Sequence, residues 1–313
     1  MRTQPPKQQQ GVALITAVLI VALVTAVAVA MASRQQLDIR RTANIFNNDT
    51  AYQFALGAED YARNVLEWDI TRGGSTTDHL GEDWAQEVTV PVERAILTGT
   101  ILDLQGRINL NSLLDGNGAP NGEMLKRFER LLKLLGMNQE IAQAVLDWID
   151  ADPNQRFPGG AEEDYYMLQT PPYRAANRPM VSVSELLLVK GLDHEAYQLL
   201  LPHVSALPDI TSTINVNTAS AKVLASLADT MTLADGEALI AARPEDGFAN
   251  IGNFENLLTN HRTYVRTFVD IKSSYFQVNA LAEFDQSIAQ LHSLVHRNDT
   301  GGVHVLMRSR GAY

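Results

Sequence analysis

The chain has 313 residues, 45% of them apolar and 19% charged, with a net charge of −11. That composition allows packed cores and excludes wholesale disorder. The absence of cysteine excludes disulfides, thiolate metal sites and a cysteine nucleophile, and the acidic balance argues against nucleic acid as a partner, because a net-negative surface repels phosphate backbones.

Residues 1–11 are polar, with Arg2 and Lys7 as their only charges. Residues 12–32 then carry no charge at all over 21 positions, enough helix to span roughly 31 Å of bilayer core. Three readings compete: a buried core helix, a secretory signal cut after Ala30 or Ala32, and a membrane helix that stays. The run is apolar on every side, which argues against a core helix. The helical pattern also continues beyond it, which favours the retained span. Up to Trp68 there is no proline and one glycine, Gly57. Phe54, Ala58, Tyr61, Val65 and Trp68 form a stripe at helical spacing, expected to pack on a globular part. Arg2 and Lys7 precede the span, yet Arg34, Arg40 and Arg41 follow it, so charge bias alone does not set its orientation.

Gly73, Gly74, Ser75, Thr76 and Thr77 predict a loop after the helix. Residues 87–93 alternate as a strand, with Pro91 marking an edge. Residues 96–110 read as further strand with a turn near Gly106. Strand pattern then disappears for about 160 residues and returns at 275–281, 290–295 and 303–307, with Gly301 and Gly302 as the last turn. The fold expected is α+β: a long transmembrane and spine helix on an antiparallel sheet split in sequence, with a helical domain inserted between its halves. The boundaries expected are a leader 1–11, a span 12–32, an amphipathic continuation 33–72, sheet residues 73–110 and 271–313, and an insert 111–270.

The insert reads as repeated. INLNS at 108–112 matches INVNT at 214–218, and leucine-rich helical sequence follows each. The first is followed by 128–135, 141–149 and, after an interruption, 183–191; the second by 219–227, 238–243 and 254–258. An asparagine before such a helix can accept hydrogen bonds from its free N–H groups. The pattern resembles tandem helix-hairpin-helix modules, which in many proteins grip DNA backbone. Such a grip needs glycine-bounded turns flanked by lysine or arginine. Residues 228–236 instead hold two aspartates and no basic residue, residues 135–140 are also without one, and Lys190-Gly191 is followed by Asp193 and Glu195.

The interruption is the best candidate chemical site. Asp147, Asp150, Asp152, Glu162, Glu163 and Asp164 place six carboxylates against one arginine in 18 residues. Asp147 and Asp150 can share a helix face, and Asp150, Asp152 and Asn154 alternate along a loop. Negative charge at a helix C-terminus needs compensation, which a hard divalent cation on oxygen ligands would supply. The spacing is not that of an EF-hand, since Gln155 stands where glycine is required. A solvated acidic loop and a pair of catalytic carboxylates are the other readings of the same residues. His292 and His296 share strand parity without a third ligand, so no zinc site is expected. Nucleophile-elbow and phosphate-binding glycine patterns are absent.

A short basic leader ending at Gly11, an apolar helix from Val12 and its amphipathic extension resemble the class III signal of type IV pilins and type II secretion pseudopilins. Thr16 stands fifth after the cut, where most members carry glutamate. That departure, the length, the split sheet and the acidic insert together resemble the GspK family of minor pseudopilins. The resemblance implies cleavage between Gly11 and Val12 by a prepilin peptidase, N-methylation at Val12 and a single-pass protein of a Gram-negative inner membrane, in contact with its lipid, with the C-terminal part in the periplasm. It also implies partners of the GspI, GspJ and GspH types, a structural role at the tip of the pseudopilus in type II secretion, no enzymatic activity, and calcium in the acidic loop. A membrane-tethered DNA receptor of the competence type is the alternative, and a secreted enzyme a third.

Overall fold

The computed structural model describes residues 10–72, 76–258, 261 and 268–311. The leader up to residue 9, with Arg2 and Lys7, and the expected loop residues Gly73, Gly74 and Ser75 lie outside the described residues.

Helix α1, Gln10–Thr71, is one element of 62 residues. Its first half is exposed on all sides and qualifies, by length and composition, as a membrane span. Its second half packs on a five-stranded antiparallel sheet made of β1 Val88–Val92, β2 Ala95–Asp103, β7 Tyr275–Phe284, β8 Ser287–Arg297 and β9 Val303–Arg310, adjacent in that order. Pro91 sits on the edge strand, where its missing N–H costs no ladder bond. Phe276, Val278, Ala280 and Ala282 of β7 alternate inward toward the helix with Leu291, Ser293, Val295 and Arg297 of β8.

The stripe that α1 buries differs from the sequence expectation. Ala51, Ala55, Glu59, Ala62 and Leu66 are buried, the last four one position beyond Phe54, Ala58, Tyr61 and Val65, and Tyr61 is 51% exposed. Alanines at the centre let the helix axis approach the sheet closely, while the larger rings flank the contact. Phe54 leans on Phe284 at 5.7 Å, and Tyr61 meets Trp68 edge-on at 6.3 Å. Glu59, in the middle of the buried stripe, is held by Arg308 (2.7 Å) and by the Ser293 hydroxyl.

Strands β2 and β7 are neighbours in the sheet, and everything between Asp103 and Tyr275 is inserted at one end of them, where Asp103 faces Phe276. Near the opposite end, Ala95 and Phe284 cluster with Ala51 of α1, whereas Leu66 packs near Phe276. The helix therefore climbs the sheet away from the apolar span, and the insert leaves from the far end.

The first half of the sheet ends at Asp103, earlier than expected. β3, Ile108–Asn109, pairs in parallel with β4, Val204–Ser205, inside the insert, and β5, Ile214–Asn215, pairs in the same way with β6, Val269–Asp270. These two-residue ladders lacked a sequence signal because they are too short to show alternation. The two INxN segments thus hold equivalent places. Helices α2 Gly122–Leu134, α3 Ile141–Ile149, α4 Glu163–Tyr166 and α5 His194–Leu200 belong to the first unit, together with a 3₁₀ turn at Val183–Leu188. Helices α6 Ala221–Ala225, α7 Leu233–Ala242 and α8 Ile251–Glu255 belong to the second. Both units share one apolar core, from Ile108 through Phe128, Trp148 and Leu224 to Phe254. Gly236 permits the close crossing of α6 and α7: a Cβ there would lie 2.1 Å from the carbonyl oxygen of Ala221.

The asparagines of the repeat do more than cap. Asn109 does cap the short turn after it, accepting from the N–H of Asn111, and it also accepts from the N–H of Leu207. Asn111, fully buried, accepts from the N–H of Met180 and donates to the carbonyls of Met180 and Leu207. Asn217 makes the same two-way bond with Phe248. Each asparagine pins a distant loop by replacing backbone partners that the irregular chain lacks.

Asp103 joins the insert to the sheet. Its buried carboxylate accepts from the N–H of Gln105 (2.7 Å), Asn215 Nδ2 (3.1 Å), Thr218 Oγ1 (2.5 Å) and Ser273 Oγ (2.6 Å). Burial raises its pKa, and these donors pull it back down. Beside it, Arg297 bonds Asp69 at 2.8 Å and contacts Asp78, whose pKa burial raises to about 6. Asp103→Ala would strand the Ser273 hydroxyl and the Gln105 N–H and weaken the bonding of Thr218 and Asn215 in a dry junction, and buried unsatisfied groups cost about 1–3 kcal/mol each. A loss on the order of 3–5 kcal/mol is expected in thermal unfolding of the full chain in detergent. Unchanged stability would show that the carboxylate does not hold the junction.

Candidate metal centre and membrane spine

Helix α3 ends in the acidic segment, with Asp147 on its last turn and Asp150 as its C-cap. The chain then loops out and returns at 159–162. Gly159 and Gly160 make the return possible: a Cβ on Gly159 would lie 2.4 Å from the Glu140 carbonyl oxygen, and one on Gly160 would lie 2.1 Å from Asp147 Oδ2. The return is secured by Gln143, which accepts from the N–H of Gly159, and by Gln155 and Lys190, which both donate to the Gly160 carbonyl. Beneath it, Trp148 and Tyr166 meet edge-on at 5.1 Å.

Asp147, Asp150 and Glu162 are 0%, 2% and 6% exposed. Arg156 reaches among them, bonding Asp150 at 2.6 Å through its guanidinium and Asp147 at 3.0 Å through its backbone N–H. That single cation leaves charge over. Asp147 Oδ1, Asp150 Oδ1 and both Glu162 oxygens are buried with no hydrogen-bond partner. The electrostatics agree: burial first, then the neighbouring carboxylates, raises Glu162 to about 7. Asp150 rises to about 6, and Asp147 also shifts upward, in both cases chiefly through burial. Orphaned, ionisable oxygens on three buried side chains that feel one another's charge suit a hard cation.

The other expected ligands stand apart. Asp152 is exposed at the rim, where the N–H of Asn154 lowers its pKa, and its charge acts on Glu162 and Asp150. Asn154 is exposed. Glu163 and Asp164 open α4 on its exposed side, and Glu163 pairs with Arg174 at 3.1 Å. Six acidic residues close in sequence therefore resolve into three that are buried, one at the rim and two that face solvent. The reason is that α4 begins just after its N-cap Glu162 and rotates Glu163 and Asp164 away.

Among the described residues the carboxylate group whose oxygens all lie within 4.8 Å of one another is a different one, Asp69, Asp78 and Glu82; Asp147, Asp150 and Glu162 are not gathered that closely. Arg297 serves the two aspartates, and Glu82 accepts from the Trp84 indole at 2.6 Å. This group, with Asp103, was not signalled by sequence, because Arg297, which joins it, lies 228 positions from Asp69 along the chain.

The hairpin-like turns hold no phosphate grip. Asp229 pairs with Arg130 (2.5 Å), Asp235 closes the capping box of α7 with Thr232, and Lys190 lies over the ring of Tyr165. Arg243 donates to the Ala219 carbonyl. The basic side chains nearest the turns are thus engaged inside the fold. His292 bonds Asn279 at 2.7 Å, and His296 stacks on Tyr275.

On the spine, Thr16 donates its hydroxyl to the carbonyls of Val12 and Ala13, each at 3.0 Å. Its polarity is satisfied within its own helix.

Two family models described as Type II secretion system (T2SS), protein K match residues 106–209 and 214–262, each starting at or just before one INxN segment. The type II secretion system protein K of Pseudomonas aeruginosa is 39% identical over 97% of this chain and 93% of its own. This chain belongs to the type II secretion system protein K family. The protein K of Aeromonas hydrophila is 32% identical over 97% of this chain and 98% of its own. Among solved structures, the GspK-GspI-GspJ complex of enterotoxigenic Escherichia coli contains a chain that matches with a TM-score of 0.78 and 26% identity, covering 87% of this chain and 100% of that one. The family accounts for the spine, the split sheet and the two-unit insert together, and the apolar helix serves as a membrane anchor.

Proposed function

We propose that this chain is a non-catalytic minor pseudopilin at the tip of the pseudopilus, supporting protein export by type II secretion. In this reading it is held in a Gram-negative inner membrane by residues 12–32, with the C-terminal part in the periplasm. The observation that carries the reading is the match to the whole of the solved Escherichia coli chain, which was crystallised with GspI and GspJ. Partners of those types follow from it, and the family resemblance adds one of the GspH type. A prepilin peptidase cuts between Gly11 and Val12, and Val12 is then N-methylated.

Two features support a terminal position. A glutamate at position 16 would offer a charge to the amino terminus of a neighbouring subunit, offsetting its cost in lipid; Thr16 bonds only its own helix. The insert leaves the end of the sheet farthest from the span, beginning near Asp69, which lies about 56 Å of helix beyond Ala32. A bulky domain there obstructs a further subunit above.

The acidic pocket is proposed to hold calcium through Asp147, Asp150 and Glu162, with Asp152 at its rim. Bound there, the ion supplies positive charge to the orphaned oxygens and ties the loop to α3 and α4. The DNA-receptor alternative is disfavoured because, among the described residues, Arg130, Lys190 and Arg243 near the hairpin turns are engaged within the fold.

Co-expression of the full chain with its I-type and J-type partners is expected to yield a stable ternary complex in detergent. A chain that purifies alone beside an intact I–J pair would overturn the reading.

A further inference from the structure

After 21 uncharged positions the first charges on the spine are Arg34, Asp38, Arg40 and Arg41, and none follows until Asp49. The collar is net positive by two in a chain whose total is −11. All four are exposed, and Arg41 comes no closer to Asp38 than 4.0 Å. Arg34 lies about 3 Å of helix beyond the apolar run, and Arg40 and Arg41 about 12–14 Å beyond it. That interval covers the headgroup layer, about 5–7 Å deep, and the water just above it.

The sheet leans over the same stretch. At its membrane-facing end, Arg94 in the β1–β2 turn contacts Asp285 in the β7–β8 turn and lies over the ring of Phe284. With the spine these turns enclose a groove of about 1060 Å³, walled by Met31, Ile39 and Phe46, with Arg34 and Asp38 also lining it. Of the collar arginines Arg34 lines this groove at headgroup height, and Arg40 and Arg41 stand outside it just above the headgroup layer, within a side chain's reach because helix side chains tilt toward the N-terminus. An apolar wall continuous with the span beside such a collar matches a phospholipid better than a protein segment. Arginine also binds phosphate in bidentate fashion. Positive charge on this flank opposes the leader's two charges as an orientation signal, so orientation does not explain its presence.

We propose that Arg34, Arg40 and Arg41 bind the phosphates of anionic phospholipids on the side of the membrane that carries the globular part, with Arg94 closing the groove above Arg34. The collar would fix the depth of the spine, and those contacts must break when the subunit leaves the bilayer. The proposal rests on membrane insertion of residues 12–32.

The full chain is reconstituted into nanodiscs of equal parts phosphatidylcholine and phosphatidylglycerol, and the lipids it retains are counted by native mass spectrometry. Incorporation into the discs tests insertion; the ratio of retained lipids tests the collar. Each surface arginine is worth about fivefold toward anionic lipid, so R34Q/R40Q/R41Q should lower phosphatidylglycerol enrichment by at least tenfold. R34K/R40K/R41K should keep most of it, and tens of millimolar inorganic phosphate should not displace the lipid. Equal retention of both lipids, enrichment unchanged in the glutamine variant, or a lysine variant that falls as far as the glutamine one would overturn the proposal. Displacement by free phosphate would overturn it as a lipid site, and a lipid-free dimer would assign the groove to a second copy. Failure to enter the discs would overturn insertion and the collar together.

Discussion

With calcium at about 100 times its dissociation constant the protein is expected to gain about 2.7 kcal/mol over chelated protein, a rise of about 5–10 °C in melting temperature. The source is the set of buried oxygens without partners on Asp147, Asp150 and Glu162, around a single arginine. Without calcium these carboxylates are hard to ionise: Asp150 titrates near 6 and Glu162 near 7, above their ordinary values of 3.8 and 4.5. The folded state then holds protons that the unfolded chain has released, so stability in chelator falls as pH rises from about 4 to 7. Calcium needs the ionised forms, so its affinity climbs across the same window. The gap between calcium and chelator should therefore widen from pH 5 to pH 8. Asp147→Asn with Glu162→Gln should close the gap and, by removing repulsion, leave the chelated protein no less stable. Glu163→Ala, which only breaks a solvent-facing contact with Arg174, should leave the gap intact. Equal melting temperatures with calcium and chelator at pH 8, with no heat of binding by calorimetry, would reduce the pocket to a carboxylate cluster served by Arg156.

Gly11→Asp is expected to abolish secretion and leave full-length precursor in the membrane. The substitution separates processing from folding, because a side chain at Gly11 meets no atom within 4 Å and the helix has already begun at Gln10. The purified variant should melt as the wild type does. N-terminal sequencing of the wild type should begin at Val12. A mature terminus at Met31 or Ser33, unaffected by the mutation, would mean that residues 12–32 are a discarded signal and would remove the anchor from the account.

Much of this architecture follows from patterns local in the chain. An uncharged run of 21 residues continuing into a proline-free amphipathic stretch specifies one long helix, because nothing along it interrupts the ladder of backbone bonds. Alternation at 275–281 and 290–295 specifies strands with one face turned inward, since the side-chain period of a strand is two; pairing extends the first to 284 and the second to 287 and 297. The paired INxN segments announced two related units, and the surplus of carboxylates between Asp147 and Asp164 announced a place where charge must be compensated.

The tertiary structure decided what depends on partners far away in sequence. Periodicity gave the spacing of the spine's stripe, but contact with the sheet set its phase, burying Ala55 and Ala62 instead of the rings of Phe54 and Tyr61 one position earlier. Closest approach favours small side chains, which a count of apolar residues does not reveal. Composition marked six acidic residues alike. The return of the chain through Gly159 and Gly160, and the start of α4 just after its N-cap Glu162, buried three and turned Glu163 and Asp164 outward. Asp103, Asp78 and Glu59 carry no motif at all. Each is a polar residue in an ordinary strand, loop or helix, and its role exists only because Thr218, Ser273, Arg297 or Arg308 arrives from more than 100 residues away to share a dry junction, where an unpaired charge would be costly.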